Sequence, residues 1–224
     1  MIGRKIMSLV QFVLTHDFIL VGGDTRGTDV NQNIVSETHN KVMKINPNII
    51  IGCSGIVQDA YLFLSDYCTF SREYGLHLKD NINLKYEDII SDLNKKFDGM
   101  YQIHYDIENE MLYDFTVVVC GFNGNEFMAM QYSISDNLNE KYNGRHPIYI
   151  NPKTGLRCFM IGSFQLELHN KNYNDELRKK QPETILQYKN IMKTVFDKGV
   201  KFDRTINNLC VFEKIKRKDV IENI

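Results

Sequence analysis

Strand-forming and helix-forming sequence come in blocks along this chain, and the block order limits its fold more than any other feature. Ser8 to Leu14 and Phe18 to Val21 are short apolar runs on either side of the polar turn Thr15-His16-Asp17, which predicts a hairpin. Ile34 to Lys44 and Asn48 to Gly52 predict a second strand pair, broken at Asn46-Pro47. Ala60, Phe63, Leu64, Tyr67 and Cys68 then recur at helical spacing. So do Ile89, Ile90, Leu93, Phe97, Met100 and Tyr101, where Glu87 and Asp88 in the first turn complement the helix dipole. Strands return over Phe115 to Gly121 and Glu126 to Ser133, joined by Phe122-Asn123-Gly124-Asn125 with the favoured Asn-Gly turn pair. Ser135 to Thr154 is polar with few apolar anchors and reads as a loop or insertion, and Cys158 to Gly162 as a short strand. Helical patterns cover 164–174 and 183–198, the second after Pro182, which suits a helix start. Leu209 to Ile215 is the last strand. Long runs of each type, without strict alternation, argue for an α+β layered fold with mainly antiparallel sheets. No repeat or linker interrupts the order, so residues 1–224 read as a single domain.

Composition excludes several classes. The 43% hydrophobic and 25% charged content is globular, and 224 residues suffice for a substantial core. A net charge of -1 leaves no basic surplus for nucleic acid or an anionic membrane. Lys214 to Lys218 reads as a solvated face. No apolar run approaches the roughly 18 residues of a membrane span. Gln11 and His16-Asp17 interrupt any apolar continuation of Met1 to Ile6, so no signal peptide is expected. Cys53, Cys68, Cys120, Cys158 and Cys210 form no close pairs and read as reduced, buried thiols of a cytosolic protein. His16, His39, His77, His104, His146 and His169 lack metal-ligand spacing and read as turn or surface residues. No metal or cofactor is expected, and Gly121-Phe122-Asn123-Gly124 is a hairpin turn, not a phosphate loop.

Three landmarks stand out: Val21-Gly22-Gly23-Asp24-Thr25-Arg26, then Lys41-Val42-Met43-Lys44-Ile45-Asn46-Pro47, then Ile51-Gly52-Cys53-Ser54-Gly55. Gly55-Ile56-Val57-Gln58-Asp59 follows as a glycine-ended strand with an aspartate opening the next helix. An acidic residue at a strand end, a lysine, and a strand ending in glycine resemble, in that order, the proteasome-type N-terminal-nucleophile (Ntn) hydrolases. The similarity is weaker at Gly162-Ser163 and at Asn207-Asn208-Leu209-Cys210-Val211.

That resemblance implies a four-layer αββα sandwich. It also implies a nucleophile at the mature amino terminus, whose own α-amine serves as the general base. Counting back from Asp24 at the family's spacing reaches Ser8. Lys41 takes the place of the family's lysine after a one-residue insertion, favouring the deprotonated hydroxyl and amine, and Asp24 fixes it. The Gly55 N–H takes the oxyanion role, Ser163 resembles the supporting serine, and Gly27, Cys53 and Val57 would line the primary pocket, suggesting uncharged substrate side chains. The family also implies a peptide or amide substrate and self-assembly into a ring or stacked oligomer; nothing in the sequence shows an ATPase partner.

The chain departs from the pattern in places. Met7 precedes Ser8 where self-processing members have glycine, and Val10 replaces a threonine. The late aspartate and serine have no clean counterparts; Asp197 and Asp203 both compete for the aspartate. Met1 to Met7 is then an alternative start or a short propeptide. Against the catalytic reading stand plainer ones: an Asp24–Arg26 ion pair at a turn, Lys41 as a surface residue, Ser163 as a helix N-cap, and the whole chain as a non-catalytic Ntn-fold subunit.

Overall fold

The computed structural model describes residues 9–28, 33–71, 75–79, 84–106, 113–135, 143–162 and 165–221. Two sheets form its centre. The first has the order β12-β1-β2-β13, built from β1 (Leu9–Thr15), β2 (Phe18–Asp24), β12 (Leu156–Gly162) and β13 (Cys210–Lys216). The second has the order β11-β10-β9-β6-β5, from β5 (Val42–Asn46), β6 (Ile49–Gly55), β9 (Phe115–Phe122), β10 (Phe127–Ile134) and β11 (Gly144–Tyr149). All pairings within the two sheets are antiparallel.

Side-chain alternation explains why these strands read as nearly continuous apolar runs. In β1, Val10, Phe12 and Leu14 enter the layer between the sheets, while Leu9 and Val13 face the opposite side. In β9, Val118, Cys120 and Phe122 enter the central layer, while Phe115, Val117 and Val119 point outward. Both faces must therefore be covered by apolar matter. The helices α1 (Val57–Leu64) and α2 (Tyr86–Asp106) cover the second sheet through Phe63, Leu64, Ile89, Leu93 and Phe97. The helices α3 (Leu166–Lys180) and α4 (Ile185–Gly199) cover the first through Tyr173, Ile191, Met192, Val195 and Phe196. The result is helix, sheet, sheet, helix: the αββα sandwich expected from the sequence.

Several expectations need correction. The 135–154 stretch is not wholly a loop, because Gly144–Tyr149 pairs with β10 as an edge strand. Pro147 lies in it, at an edge where a missing N–H does least harm. Ile34–Ser36 (β4) pairs with Gly27–Thr28 (β3) in a separate two-stranded ribbon and does not run on into β5. The first helix ends at Leu64; Cys68 instead opens β7 (Cys68–Ser71), which pairs with β8 (Gly75–Leu78). After Pro182, α4 begins with a capping box in which Thr184 and Gln187 satisfy each other's backbone N–H groups. A short helix, α5 (Arg217–Ile221), takes up part of the basic tail. His39, His104 and His169 are buried and not on the surface. No described helix is long and apolar enough to cross a membrane.

Candidate active site

Strand ends build the site. Asp24 closes β2, and Lys41 immediately precedes β5. The Lys41 ammonium donates to both oxygens of Asp24, at 2.8 Å each. Asp24 is 0% exposed and Lys41 3%. A buried ammonium is tolerated only beside a compensating carboxylate, so Lys41 is not a surface residue of a strand. Two backbone groups complete the carboxylate's partners: Leu9 N–H donates to Oδ1 at 2.8 Å and Arg26 N–H to Oδ2 at 3.0 Å. Burial pushes the Asp24 carboxyl above its ordinary range, while Lys41 and these N–H groups pull it down.

The turn ion pair between Asp24 and Arg26 is not formed. Arg26 pairs instead with Glu37, at 3.0 Å, and donates to the Arg204 carbonyl at 2.7 Å. Asp24 is thus free of a competing side-chain cation and belongs to Lys41.

Lys41 is tied to the second sheet through its carbonyl, which accepts the Cys53 N–H at 2.9 Å. Two residues further on, Gly55 ends β6 with φ +95. A Cβ there would lie 2.6 Å from the Asp114 carbonyl oxygen and 2.7 Å from the Phe115 Cα, so only glycine fits. Cys53 points into the outer core cluster, and Val57, the first residue of α1, packs against the same cluster. Burial pushes the Cys53 thiol up to about 12, which leaves it protonated and a poor nucleophile. Gly27 lies in β3 against the His39 ring, which fills the space a side chain there would need.

Ser8 and Ser163 lie outside the described residues. Their described neighbours, Leu9 and Gly162, are register partners across β1 and β12. Of the competing late aspartates, Asp203 is buried and fully engaged: Oδ2 meets His169 Nε2 at 3.2 Å, and Oδ1 accepts the Thr205 N–H at 3.0 Å. Asp197 is exposed on α4, close enough to Cys210 to act on its thiol. Cys210 is itself the register partner of Asp24.

One neighbour of the candidate site had no role assigned from sequence. Asn207 accepts the Thr25 N–H at 3.0 Å and donates to Glu37 Oε2 at 2.5 Å, locking the segment after β2 beside Asp24. Its partner Thr25 is 182 residues away, so no local pattern marks it. Asp59 and Asp114, both buried, form a second such cluster beside Gly55. Among the described residues no three His, Cys, Asp or Glu side chains gather as a metal site.

Residues 13–105 match the family model described as proteasome subunit. Among solved structures the chain is similar to eukaryotic HslV from Trypanosoma brucei, at 13% identity and a TM-score of 0.57, covering 93% of this chain and 99% of that one. No curated protein matches the chain significantly.

Proposed function

We propose that this chain is a proteasome-like N-terminal-nucleophile peptidase or amidohydrolase, with Ser8 as its mature first residue. The observation that carries the reading is the buried Asp24–Lys41 pair, with the N–H of Leu9 bonded to the same carboxylate at 2.8 Å. Leu9 follows Ser8 directly in the chain, so the candidate nucleophile is one residue from that bond. A cation bound in both directions by a buried carboxylate cannot wander, and it is available to lower the energy of a nearby alkoxide and a neutral amine.

The roles follow. The Ser8 hydroxyl attacks the substrate carbonyl and passes its proton to the Ser8 α-amine. The tetrahedral oxyanion is held by the Gly55 N–H. The protonated amine then gives its proton to the leaving amine, leaving an ester on Ser8. Water hydrolyses that ester with the same amine as base. Ser163 supports the amine; of the three pocket candidates, Cys53 and Val57 lie against the outer core cluster and Gly27 against the His39 ring, so the preference for an uncharged side chain rests on the family resemblance. Oligomerisation is part of the same reading. Ile34 and Val35, beside the site on β4, are 53% and 57% exposed, and Leu209 is 56% exposed, a surface suited to neighbouring subunits.

The competing reading is a non-catalytic subunit of the same fold. The engagement of Asp203 by His169 and Thr205 favours it, because that aspartate is unavailable to the Ser8 amine. Intact mass and N-terminal sequencing of untagged protein, followed by a serine-reactive β-lactone, decide between them. A free Ser8 that is acylated, with Ser8→Ala abolishing both acylation and turnover, is expected. A uniformly retained residue ahead of Ser8, with no acylation, contradicts the hydrolase.

A further inference from the structure

The third residue of α1 does something unusual for its position. An acidic residue there ordinarily reaches back to the N–H of the N-cap residue. The N-cap of α1 is Ile56, which has no side-chain cap, and its N–H is already taken by the Asp114 carbonyl at 2.7 Å. Asp59 turns instead to the other strand: its Oδ2 accepts the Asp114 N–H at 2.9 Å. The Asp59 N–H in turn donates to the Ile56 carbonyl at 3.1 Å. Ile56, Asp114 and Asp59 thus close a ring of three hydrogen bonds, with Asp59 7% and Asp114 0% exposed.

This ring holds the peptide that follows Gly55. The other side of Gly55 is held by β6, through the register Gly55↔Phe115 and the Cys53–Lys41 bond. Between the two clamps the chain makes its left-handed step, and Asp114 fills the space where a side chain would be. With both flanking peptides fixed, the Gly55 N–H has one direction open to it.

We propose that Asp59 is a positioning residue of the active site: acting through the Asp114 backbone, its carboxylate fixes the Gly55–Ile56 peptide and so aims the Gly55 N–H. The catalytic part of this inference rests on the reading of Gly55 as the oxyanion donor. The carboxylate acts by geometry, as an acceptor in one place, and its negative charge is secondary. An asparagine oxygen can therefore replace it, and a glutamate, one methylene longer, cannot.

Amide hydrogen exchange and steady-state peptide hydrolysis on Asp59→Ala, Asp59→Asn and Asp59→Glu test this together. Exchange at Ile56 and Asp114 is expected to quicken at least tenfold in Asp59→Ala and Asp59→Glu, and to stay near wild type in Asp59→Asn. Losing an oxyanion donor costs about 100- to 1000-fold. A misdirected donor is expected to lower kcat roughly ten- to a hundredfold, with KM within about twofold and rescue by Asp59→Asn. Inhibition by a peptide aldehyde should weaken in parallel with kcat. Unchanged Ile56 exchange, or equal loss of kcat in Asp59→Asn and Asp59→Ala, overturns the proposal. If Asp59→Ala does not fold, the contrast between the asparagine and glutamate variants decides by the same criteria. A wild-type protein that hydrolyses nothing yet shows the expected exchange pattern counts against the hydrolase reading and upholds the hold of Asp59 on this peptide.

Discussion

At the residue scale the decisive group is Lys41. Its ammonium is almost wholly out of water, and the same holds for its partner Asp24. Truncating one member of such a pair leaves an uncompensated buried charge, at a cost of roughly 3–5 kcal/mol, whereas replacing both with apolar side chains is often nearly neutral. Lys41→Ala is therefore expected to lose both turnover and about that much stability in urea unfolding. Asp24→Leu combined with Lys41→Met should recover most of the stability and none of the activity. Retained turnover in Lys41→Ala contradicts the proposed mechanism. Asp24, Lys41 and Gly55 stood out in the sequence because their order resembles that of a known family, and the structure brings the Asp24 carboxylate and the Lys41 ammonium into contact. The competing partner of Asp24, Arg26, was not resolvable from the sequence. Adjacency in sequence made that ion pair plausible, and only the approach of Glu37 shows that Arg26 points elsewhere.

At the scale of elements, the outer helix pair is held by a three-way charge cluster. Glu176 on α3 accepts from Lys198 on α4 at 2.7 Å and pairs with Lys180 one turn along at 2.8 Å. These hydrogen bonds lower the Glu176 carboxyl from 4.5 to about 2. The sign follows: the unfolded chain binds this proton more readily, so the stabilisation is complete above the ordinary glutamate value and drains away as pH falls toward 2. Both lysines are more than a third exposed, so solvent screening limits the gain to about 1 kcal/mol. Thermal melts at pH 6 and pH 3 are expected to show a smaller acid-induced drop for Glu176→Gln than for wild type; equal drops would remove Glu176 from the account. The strands and long helices were legible because their apolar periodicity is strong. Gly144–Tyr149 was not, because an edge strand with Pro147 and little apolar content gets its identity from pairing with β10. The α1 end was overrun because Tyr67 and Cys68 are buried at a spacing that also suits a helix, whereas Tyr67 lies in the turn after α1 and Cys68 opens β7.

For the whole molecule, long-range polar ties matter most. Asn207, on the segment leading into β13, reaches Thr25 and Glu37 near the other end of the chain. Asn207→Ala leaves the buried Thr25 N–H without this acceptor, at a cost of about 1–3 kcal/mol. It is expected to lower kcat as well as the urea midpoint, since Thr25 adjoins Asp24; a stability loss with kcat unchanged would make Asn207 purely structural. Assembly belongs to this scale too. Sedimentation velocity at micromolar concentration is expected to give a mass several times the 26.2 kDa of one chain, and a lone 26.2 kDa species contradicts the assembly reading.

What the sequence determined by itself is what local chemistry can encode: where most of the strands and helices lie, that both sheet faces need cover, and that an acid, a lysine and a glycine come in a set order at or beside strand ends. Periodicity and turn chemistry act over a few residues, and that range is enough for those features. The tertiary structure decided how separate strand ends become one site. The pairing of Lys41 with Asp24, the closing of Asp59 and Asp114 around Gly55, and the reach of Asn207 to Thr25 join residues 17, 55 and 182 positions apart. A polar side chain seeks whichever unpaired group is nearest in space once water is gone, and that neighbour exists only after the two sheets have packed.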